Sequence, residues 1–254
     1  MLLAFDVGNT NIVLGGFEGE QLLFRERIST NQQATDLDYA IHIRMALDMH
    51  GIDRSQITEA IISSVVPSVT NTLKQAIYKY TGCMPMVVGP GIKTGLSIVI
   101  DNPAQLGSDL VVDAVAGITE YPLPLIIIDM GTATTFSLID EKKRYLGGVI
   151  MTGMAVSVDA LVSRTSQLPR IAFEAPKNVI GTNTIDCMKS GIMYSAACSL
   201  DGIIERIEEE IGRKCTVVAT GGLAGTVTPL CKRDIILDDD LLLKGLRAIY
   251  EKNR

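Results

Sequence analysis

Apolar and polar residues follow the same order of patterns twice along this chain. Each half opens with three strand-like runs, then alternates helical periods of 3.6 residues with short apolar runs that are typical of buried strands. In the first half the predicted strands are 2–6, 11–17, 21–28, 59–66 and 86–88, and the predicted helices are 36–49 and about 68–80. In the second half the predicted strands are 125–129, 134–140, 144–150, 215–219 and 234–237, and the predicted helices are 154–163, 185–211 and 240–252.

The repeated unit is too long for a solenoid and indicates duplication of a whole domain. We therefore predict an α/β fold in which each half is a mixed sheet flanked by helices. A joining segment over 89–124 contains four prolines and one further predicted helix, 107–118. The predicted domains are residues 1–118, which include that helix, and residues 119–254.

A polar turn of the form Asp-x-Gly follows the first strand of each half. Residues 6–11 read Asp-Val-Gly-Asn-Thr-Asn, and residues 129–135 read Asp-Met-Gly-Thr-Ala-Thr-Thr. Glycine lets backbone N–H groups approach a phosphate, Asn and Thr add neutral hydrogen bonds, and a carboxylate can hold a metal ion or its water shell. One such turn is equally compatible with a plain hairpin. Two in matched positions favour a nucleoside triphosphate gripped from both sides.

A third glycine-containing turn follows a predicted strand in the second half. Gly221 and Gly222 lie in Ala-Thr-Gly-Gly-Leu-Ala at 219–224, where they would let a nucleoside lie against the backbone. The signal is weak alone, but with the two Asp-x-Gly turns it predicts a three-part nucleotide site.

Asp109 is the most informative acid outside these turns. It stands in Leu-Gly-Ser-Asp at 106–109, at the start of the predicted helix that joins the halves. In a kinase, a carboxylate in reach of the acceptor hydroxyl can orient that hydroxyl and take its proton. The spacing is equally compatible with a carboxylate that only favours the helix N-terminus.

Composition and charge exclude several classes of function. A formal net charge of -6 argues against a nucleic-acid-binding surface. No apolar run reaches the roughly 18 residues that span a bilayer, and the N-terminus does not resemble a signal peptide, so we expect a cytoplasmic protein without membrane contact. The five cysteines are not at metal-ligand spacing and are expected to be buried, reduced thiols. His42 and His50 have no nearby Ser or Cys motif, which argues against a histidine-based triad.

Taken together, these motifs resemble those of type III pantothenate kinases, in the superfamily of acetate and sugar kinases, Hsp70 and actin. The resemblance extends nearly end to end. Besides the two turns it includes Ile-Ser-Thr at 28–30, Ile-Ser-Ser-Val-Val-Pro at 62–67, Val-Val-Gly-Pro-Gly-Ile-Lys-Thr-Gly-Leu at 87–96, Asp-Asn-Pro at 101–103, Arg-Thr at 164–165, Leu-Pro-Arg at 168–170, Asn-Thr at 183–184, Ala-Thr-Gly-Gly-Leu-Ala at 219–224 and Ile-Tyr-Glu-Lys-Asn at 249–253.

The resemblance implies duplicated actin-like, ribonuclease H-like domains with a nucleotide cleft between the halves. It implies a homodimer that phosphorylates pantothenate with ATP, the first step of coenzyme A synthesis. The cofactors expected on this basis are ATP, Mg²⁺ and a monovalent cation, K⁺ or NH₄⁺.

The resemblance also implies roles for individual residues. Asp129 is expected to bind the monovalent cation, Asp6 to help hold Mg²⁺ through water, and Asp109 to accept the proton of the pantothenate hydroxyl. The residues expected to contact ATP are Asp6, Val7, Gly8, Asn9, Thr10, Asn11, Ile12, Val13, Thr132, Gly221 and Gly222. The residues expected at the pantothenate site are Ile100, Gly107, Ser108, Asp109, Leu110 and Thr184, and the family completes this site across the dimer interface.

The chain departs from the family pattern at several positions, and at two of them the family residue is expected to touch pantothenate. Ile100 stands where the family usually has tyrosine, and Leu110 where it usually has the arginine of Gly-x-Asp-Arg. Losing an arginine that pairs with the substrate carboxylate would cost about 1.5–3 kcal/mol. Three hypotheses follow: a type III pantothenate kinase with weakened activity, a kinase for a less anionic acceptor, or a non-catalytic paralogue that binds nucleotide and acts as a regulator or partner subunit.

Overall fold

The computed structural model describes all residues from 1 to 254. Its strands are β1 Leu2–Val7, β2 Asn11–Glu18, β3 Gln21–Ser29, β4 Glu59–Ser64, β5 Met86–Val87, β6 Ser97–Ile98, β7 Leu125–Met130, β8 Ala133–Ile139, β9 Arg144–Thr152, β10 Thr216–Thr220 and β11 Ile236–Leu237. Its α-helices are α1 Asp36–Met49, α2 Pro67–Thr81, α3 Ser108–Glu120, α4 Met154–Ser163, α5 Thr184–Ile211, α6 Ala224–Val227 and α7 Leu241–Asn253. None of these helices combines the length and the apolar composition needed to cross a membrane.

The two sheets have the same strand order, as expected of a duplicated domain. The first is ordered β3-β2-β1-β4-β5, and the second contains the matching order β9-β8-β7-β10-β11, with β6 added beside β9. In both, the first strand pairs antiparallel with the next strand and parallel with the strand that returns after a helix. The predicted fold class, mixed sheets flanked by helices, is confirmed.

The chain divides into two compact units that interleave in sequence. Unit 1 comprises Met1–Leu96, Asp101–Thr119 and Leu241–Arg254, and unit 2 comprises Ser97–Ile100 and Glu120–Asp240. The predicted domain boundary between residues 118 and 119 concerns the two repeated halves of the sequence rather than these packing units, and it stays a prediction. By packing, however, the C-terminal helix α7 belongs to unit 1, because its apolar face covers the sheet that contains β1.

Unit 1 buries both faces of its sheet, and this explains why its central strands are almost entirely apolar. One face packs against α1 and α2, through residues such as Phe5, Ile43 and Leu73. The other face packs against α3 and α7, with Val112 and Leu246 in the core.

Unit 2 packs its sheet against α5 and α6. Its core includes Ile126 and Ile128 of β7, Met193 and Leu200 of α5 and Val227 of α6. In β7, as in β1, an aspartate follows the buried apolar run at the next-to-last position of the strand, which places Asp129 at the edge of the core.

Several predicted boundaries differ from the structure for identifiable reasons. Strand β4 ends at Ser64 rather than residue 66, because helix α2 begins with Pro67 at its first position and Val66 as its N-cap. The sequence suggests Ser68 as the cap of this helix, but Ser68 lies inside the first turn of α2, after Pro67. The predicted strand at 234–237 is shortened to β11, and β6 has no apolar run long enough to predict it.

Candidate active site

The first Asp-x-Gly turn connects β1 and β2 in unit 1. Asp6 is half-buried near the end of β1, in register with Val13 of β2. The Gly8 N–H donates to the Asn11 carbonyl at 3.0 Å, which closes the turn. Thr30, which follows β3, donates from its hydroxyl to the Gly8 carbonyl at 2.6 Å. The turn is therefore held from the side, and the side chains of its tip remain exposed.

The side chains of this segment divide into two groups. Asn9 and Thr10 are exposed at the tip, where they can meet a ligand. Val7 and Ile12 are fully buried in the apolar core, so any contact that they make with a nucleotide has to come from their backbone. For Val7 and Ile12 we therefore expect contact with the nucleotide only through their backbone N–H and C=O groups.

The second Asp-x-Gly turn connects β7 and β8 in unit 2. The Gly131 N–H donates to the Ala133 carbonyl at 3.0 Å, and Thr132 is exposed at the tip. The Gly153 N–H donates to the Thr132 carbonyl at 3.1 Å. A β-carbon at residue 153 would stand 2.3 Å from that carbonyl oxygen, so only glycine allows this approach. The sequence had not singled out Gly153 as a support of the turn.

Gly221 brings the third glycine turn against the second. It adopts a positive φ of 96° directly after β10, and a β-carbon there would stand 2.6 Å from the Met130 nitrogen. Because β10 pairs parallel with β7, Thr220 and Asp129 are in register. Unit 2 thus brings together Asp129 and Gly221, which belong to two of the three turns in the predicted nucleotide site.

Asp109 lies in the first turn of α3 in unit 1. Its Oδ1 accepts a hydrogen bond from the Leu110 N–H at 2.9 Å, and a β-carbon at Gly107 would stand 2.3 Å from the same oxygen. Burial raises the pKa of the Asp109 carboxyl above its ordinary value, and hydrogen bonding to the Leu110 N–H offsets part of that effect. A raised pKa makes this carboxylate a better proton acceptor.

Thr184 begins helix α5 and lines an open cavity of about 590 Å³ in unit 2. The volume is within the range of small-molecule sites. Apolar side chains such as Leu161 and Met188 line most of it, and Asn183 adds a polar group. Ile100 and Leu110, the two departures from the family pattern, are each half-buried, the first in unit 2 and the second in unit 1.

Neither a metal cage nor a histidine triad is present. No group of three or more His, Cys, Asp or Glu side chains is placed to hold a metal ion. His50 contacts Glu26 at 2.8 Å and stacks on Phe24, which is a structural role. The cysteines are all free thiols, as expected, but Cys187 and Cys198 are exposed rather than buried.

Comparison with known proteins identifies the relatives of this chain. The family model described as type III pantothenate kinase matches residues 2–206. Type III pantothenate kinases from an Exiguobacterium species and from Halalkalibacterium halodurans are each 46% identical, with complete coverage of both chains.

Solved structures show the same fold at much lower identity. Component A of (R)-2-hydroxyglutaryl-CoA dehydratase from Acidaminococcus fermentans superposes with a TM-score of 0.55 at 14% identity, and 98% of this chain and 96% of that chain are covered. A protein from Campylobacter jejuni described as a Baf family transcriptional activator has a TM-score of 0.58 at 19% identity, with 99% and 98% covered. At these identities the likeness concerns the fold alone.

Proposed function

This chain belongs to the type III pantothenate kinase family, and from that premise we propose how its residues divide the reaction. The chain transfers a phosphoryl group from ATP to the small molecule pantothenate, a step of coenzyme A biosynthesis. The observation that carries this function is the 46% identity over the full length of named pantothenate kinases. The comparisons lend no support to a non-catalytic paralogue or to activity weakened by Ile100 and Leu110.

We assign the phosphates of ATP to the exposed tips of the two Asp-x-Gly turns. Asn9 and Thr10 in unit 1 and Thr132 in unit 2 offer neutral donors, and backbone N–H groups of 6–13 add further ones. Gly221 packs its backbone against Asp129 and Met130, and we assign the turn that contains Gly221 and Gly222 to the nucleoside. Such contacts position the triphosphate, and positioning together with charge stabilisation supplies most of the catalysis in phosphoryl transfer.

The donor set at Asp6 fits a magnesium ion that arrives with the nucleotide. Mg²⁺ in nucleotide sites needs only one or two carboxylates beside phosphates and waters, so the lack of a protein cage is compatible with it. Asp6 would hold this ion through water. When bound, Mg²⁺ neutralises charge on the phosphoryl group during transfer.

Asp129 is assigned to a monovalent cation, K⁺ or NH₄⁺. Its carboxylate is half-buried beside the backbone of Gly221 and Met130, which suits an ion of low charge held by carboxylate and carbonyl oxygens. This assignment can be tested by a measurement of thermal stability, which does not require the enzyme to be active. K⁺ should raise the melting temperature of the chain above its value in Na⁺, and Asp129→Asn should abolish that difference.

Asp109 is assigned as the proton acceptor for the pantothenate hydroxyl. Burial raises its pKa, and its carboxylate is held against the start of α3. Ile100, Gly107, Ser108 and Leu110 are assigned to the acceptor site with it. Thr184 is assigned to pantothenate from the open cavity at the start of α5.

A homodimer would complete the acceptor site. Unit 2 exposes large apolar side chains at β9 and near the start of α5: Ile150 is 76% exposed and Ile180 83%. We propose that a second copy of the chain covers these side chains, because contiguous exposed apolar surface usually marks an interface. Light scattering during gel filtration tests the expected mass of two chains.

The function is tested with purified protein, ATP and pantothenate. We expect phosphopantothenate by mass spectrometry in buffers that contain K⁺, and little product when K⁺ is replaced by Na⁺. ATP binding without product, even with K⁺, would overturn the function and favour the regulatory hypothesis.

A further inference from the structure

Ser63 is a buried serine whose hydroxyl faces the start of helix α3. It lies on β4, is 0% exposed and stands in register with Asp6 of β1. Its Oγ donates to Ser108 Oγ at 3.1 Å, and Ser108 Oγ donates in turn to the Ser64 carbonyl at 3.0 Å. Two hydroxyls in series therefore tie the first residue of α3 to the end of β4.

This tie lies immediately before Asp109. The Asp109 carboxylate is held by the backbone around it, because Oδ1 accepts from the Leu110 N–H and packs against Gly107. Its location therefore follows the backbone of residues 107–110, which the Ser108 hydroxyl attaches to β4. Strand β4 pairs along its whole length with β1, which carries the Asp6 turn.

Packing alone does not call for hydroxyls here. The residues before Ser63 on β4, Ile61 and Ile62, are buried and apolar, and alanine at 63 would avoid the cost of burying a polar group. A buried polar pair of this kind fixes one arrangement of the elements that it joins. Here those elements carry the proposed base and the proposed phosphate turn.

We infer that Ser63 and Ser108 are positioning residues that hold Asp109 in place for proton transfer. The inference rests on the proposed function of Asp109. A displacement of about 1 Å in a reacting group can cost about a hundredfold in rate. We therefore expect Ser63→Ala and Ser108→Ala each to lower kcat by about tenfold or more, with the KM for ATP unchanged within about twofold.

The experiment compares kcat and KM in four variants and one control. The variants are Ser63→Ala, Ser108→Ala, the double variant, and Ser108→Thr, which keeps a hydroxyl. The control is Ser137→Ala, which breaks a similar buried hydroxyl pair with Tyr145 at 3.0 Å in unit 2. Melting temperature and ATP affinity are measured for each, so that unfolded protein is recognised.

The expected results separate positioning from general stability. The double variant should be no slower than the slower single variant, because both act through one hydrogen-bonded pair. Ser108→Thr should restore most of the rate, and Ser137→Ala should leave kcat unchanged. An unchanged kcat in Ser63→Ala or in Ser108→Ala, or an equal fall in Ser137→Ala, overturns the inference. No turnover by the wild-type protein overturns the proposed function instead.

Discussion

The backbone of Gly221 lies directly against the carboxylate of Asp129. A β-carbon at residue 221 would stand 2.6 Å from the Asp129 Oδ1 atom and 2.6 Å from the Met130 nitrogen. Asp129 lies near the end of β7 and Gly221 comes directly after β10, and because these two strands pair in parallel, the sheet itself brings the two turns together. This contact makes the environment of the Asp129 carboxylate depend on a glycine that lies 92 residues away in the chain.

Substitution of that glycine tests the contact. Gly221→Ala places a β-carbon against backbone atoms at a φ of 96°, so we expect a loss of about 1–3 kcal/mol in the free energy of unfolding. The stabilisation by K⁺ should be lost as well. Urea titration with and without K⁺ measures both effects.

A matched control is available in α6, the helix that follows this turn. A β-carbon at Gly225 in α6 meets only the Leu237 side chain, at 3.4 Å. Gly225→Ala should therefore keep both the stability and the K⁺ effect. A Gly221→Ala variant that behaves like this control would contradict the proposed close packing.

Asp109→Asn should separate catalysis from stability. Because the variant lacks the proposed proton acceptor, kcat should fall by about 10²–10⁴-fold while ATP still binds. Stopped or continuous assays at saturating ATP measure the fall. General bases usually contribute far more than about threefold to kcat. A kcat of Asp109→Asn within about threefold of the wild-type value would therefore show that Asp109 is not the proton acceptor.

The same variant makes a prediction about pH and stability. Burial raises the pKa of Asp109 in the folded state, so the folded protein binds its proton more readily than the unfolded chain. The favourable contribution is fully present below the unfolded pKa and is lost as pH rises through the higher folded pKa. At neutral pH the ionised carboxylate therefore lowers the stability, and Asp109→Asn should unfold at a higher urea concentration. The gain should vanish in acid, below the unfolded pKa.

Leu110→Arg tests how the acceptor carboxylate is recognised. If residue 110 faces the acceptor carboxylate, an arginine there would add a charge-assisted hydrogen bond of about 1.5–3 kcal/mol, and the KM for pantothenate would fall by tenfold to over a hundredfold. The gain should be absent with pantothenol, which lacks the carboxylate. An equal gain with both acceptors would show that residue 110 does not face the carboxylate. Ile100→Tyr is assayed in parallel as the second departure.

Hybrid dimers test whether two chains share an acceptor site. Asp109→Asn and Thr184→Tyr should each be inactive for pantothenate, since one lacks the proposed base and the other fills the cavity at α5. If the site is shared, a mixed dimer contains one site with both wild-type residues. A hybrid dimer obtained by co-expression should then have up to about half of the activity of a wild-type dimer. No recovery in purified hybrids would assign both residues to the same chain's site.

Asn253 connects two sequence motifs that lie far apart in the chain. Its side-chain amide donates to the Lys93 carbonyl and accepts from the Lys93 N–H, both at 2.9 Å. Lys252 donates to the Thr94 carbonyl, also at 2.9 Å. Asn253→Ala should lower the free energy of unfolding by about 1–2 kcal/mol, and the exposed neighbour Arg254→Ala should not. Equal effects of the two substitutions would contradict this role.

Much of the fold could be predicted from the sequence because its signals are local. The apolar run of β1 ends at Asp6 and that of β7 ends at Asp129, and both strands and turns are where the pattern places them. Helix α1 begins after Thr35, whose capping box with Asp38 is also a local signal.

Long-range partners were not predictable in the same way. The run Glu205–Glu210 reads as a solvated helix face, yet Glu208 is only 4% exposed and accepts hydrogen bonds from Arg233 and the Cys215 N–H, both at 2.8 Å. Burial tends to raise the pKa of Glu208, but hydrogen bonds from Lys214 and Cys215 hold it below its usual value. A residue pattern on one helix says nothing about cations that another segment brings to it.

The sequence by itself determined the duplicated succession of strands and helices along the chain, the two Asp-x-Gly turns and the family, because each depends on residues that are neighbours in the chain. Only the tertiary structure decided what surrounds those turns. It placed Gly221 against Asp129 through the pairing of β10 with β7, and Ser63 beside Ser108 through the packing of α3 on β4. The reason is physical: backbone periodicity is set within a few residues, whereas close approach between distant segments exists only once the sheets and helices have packed.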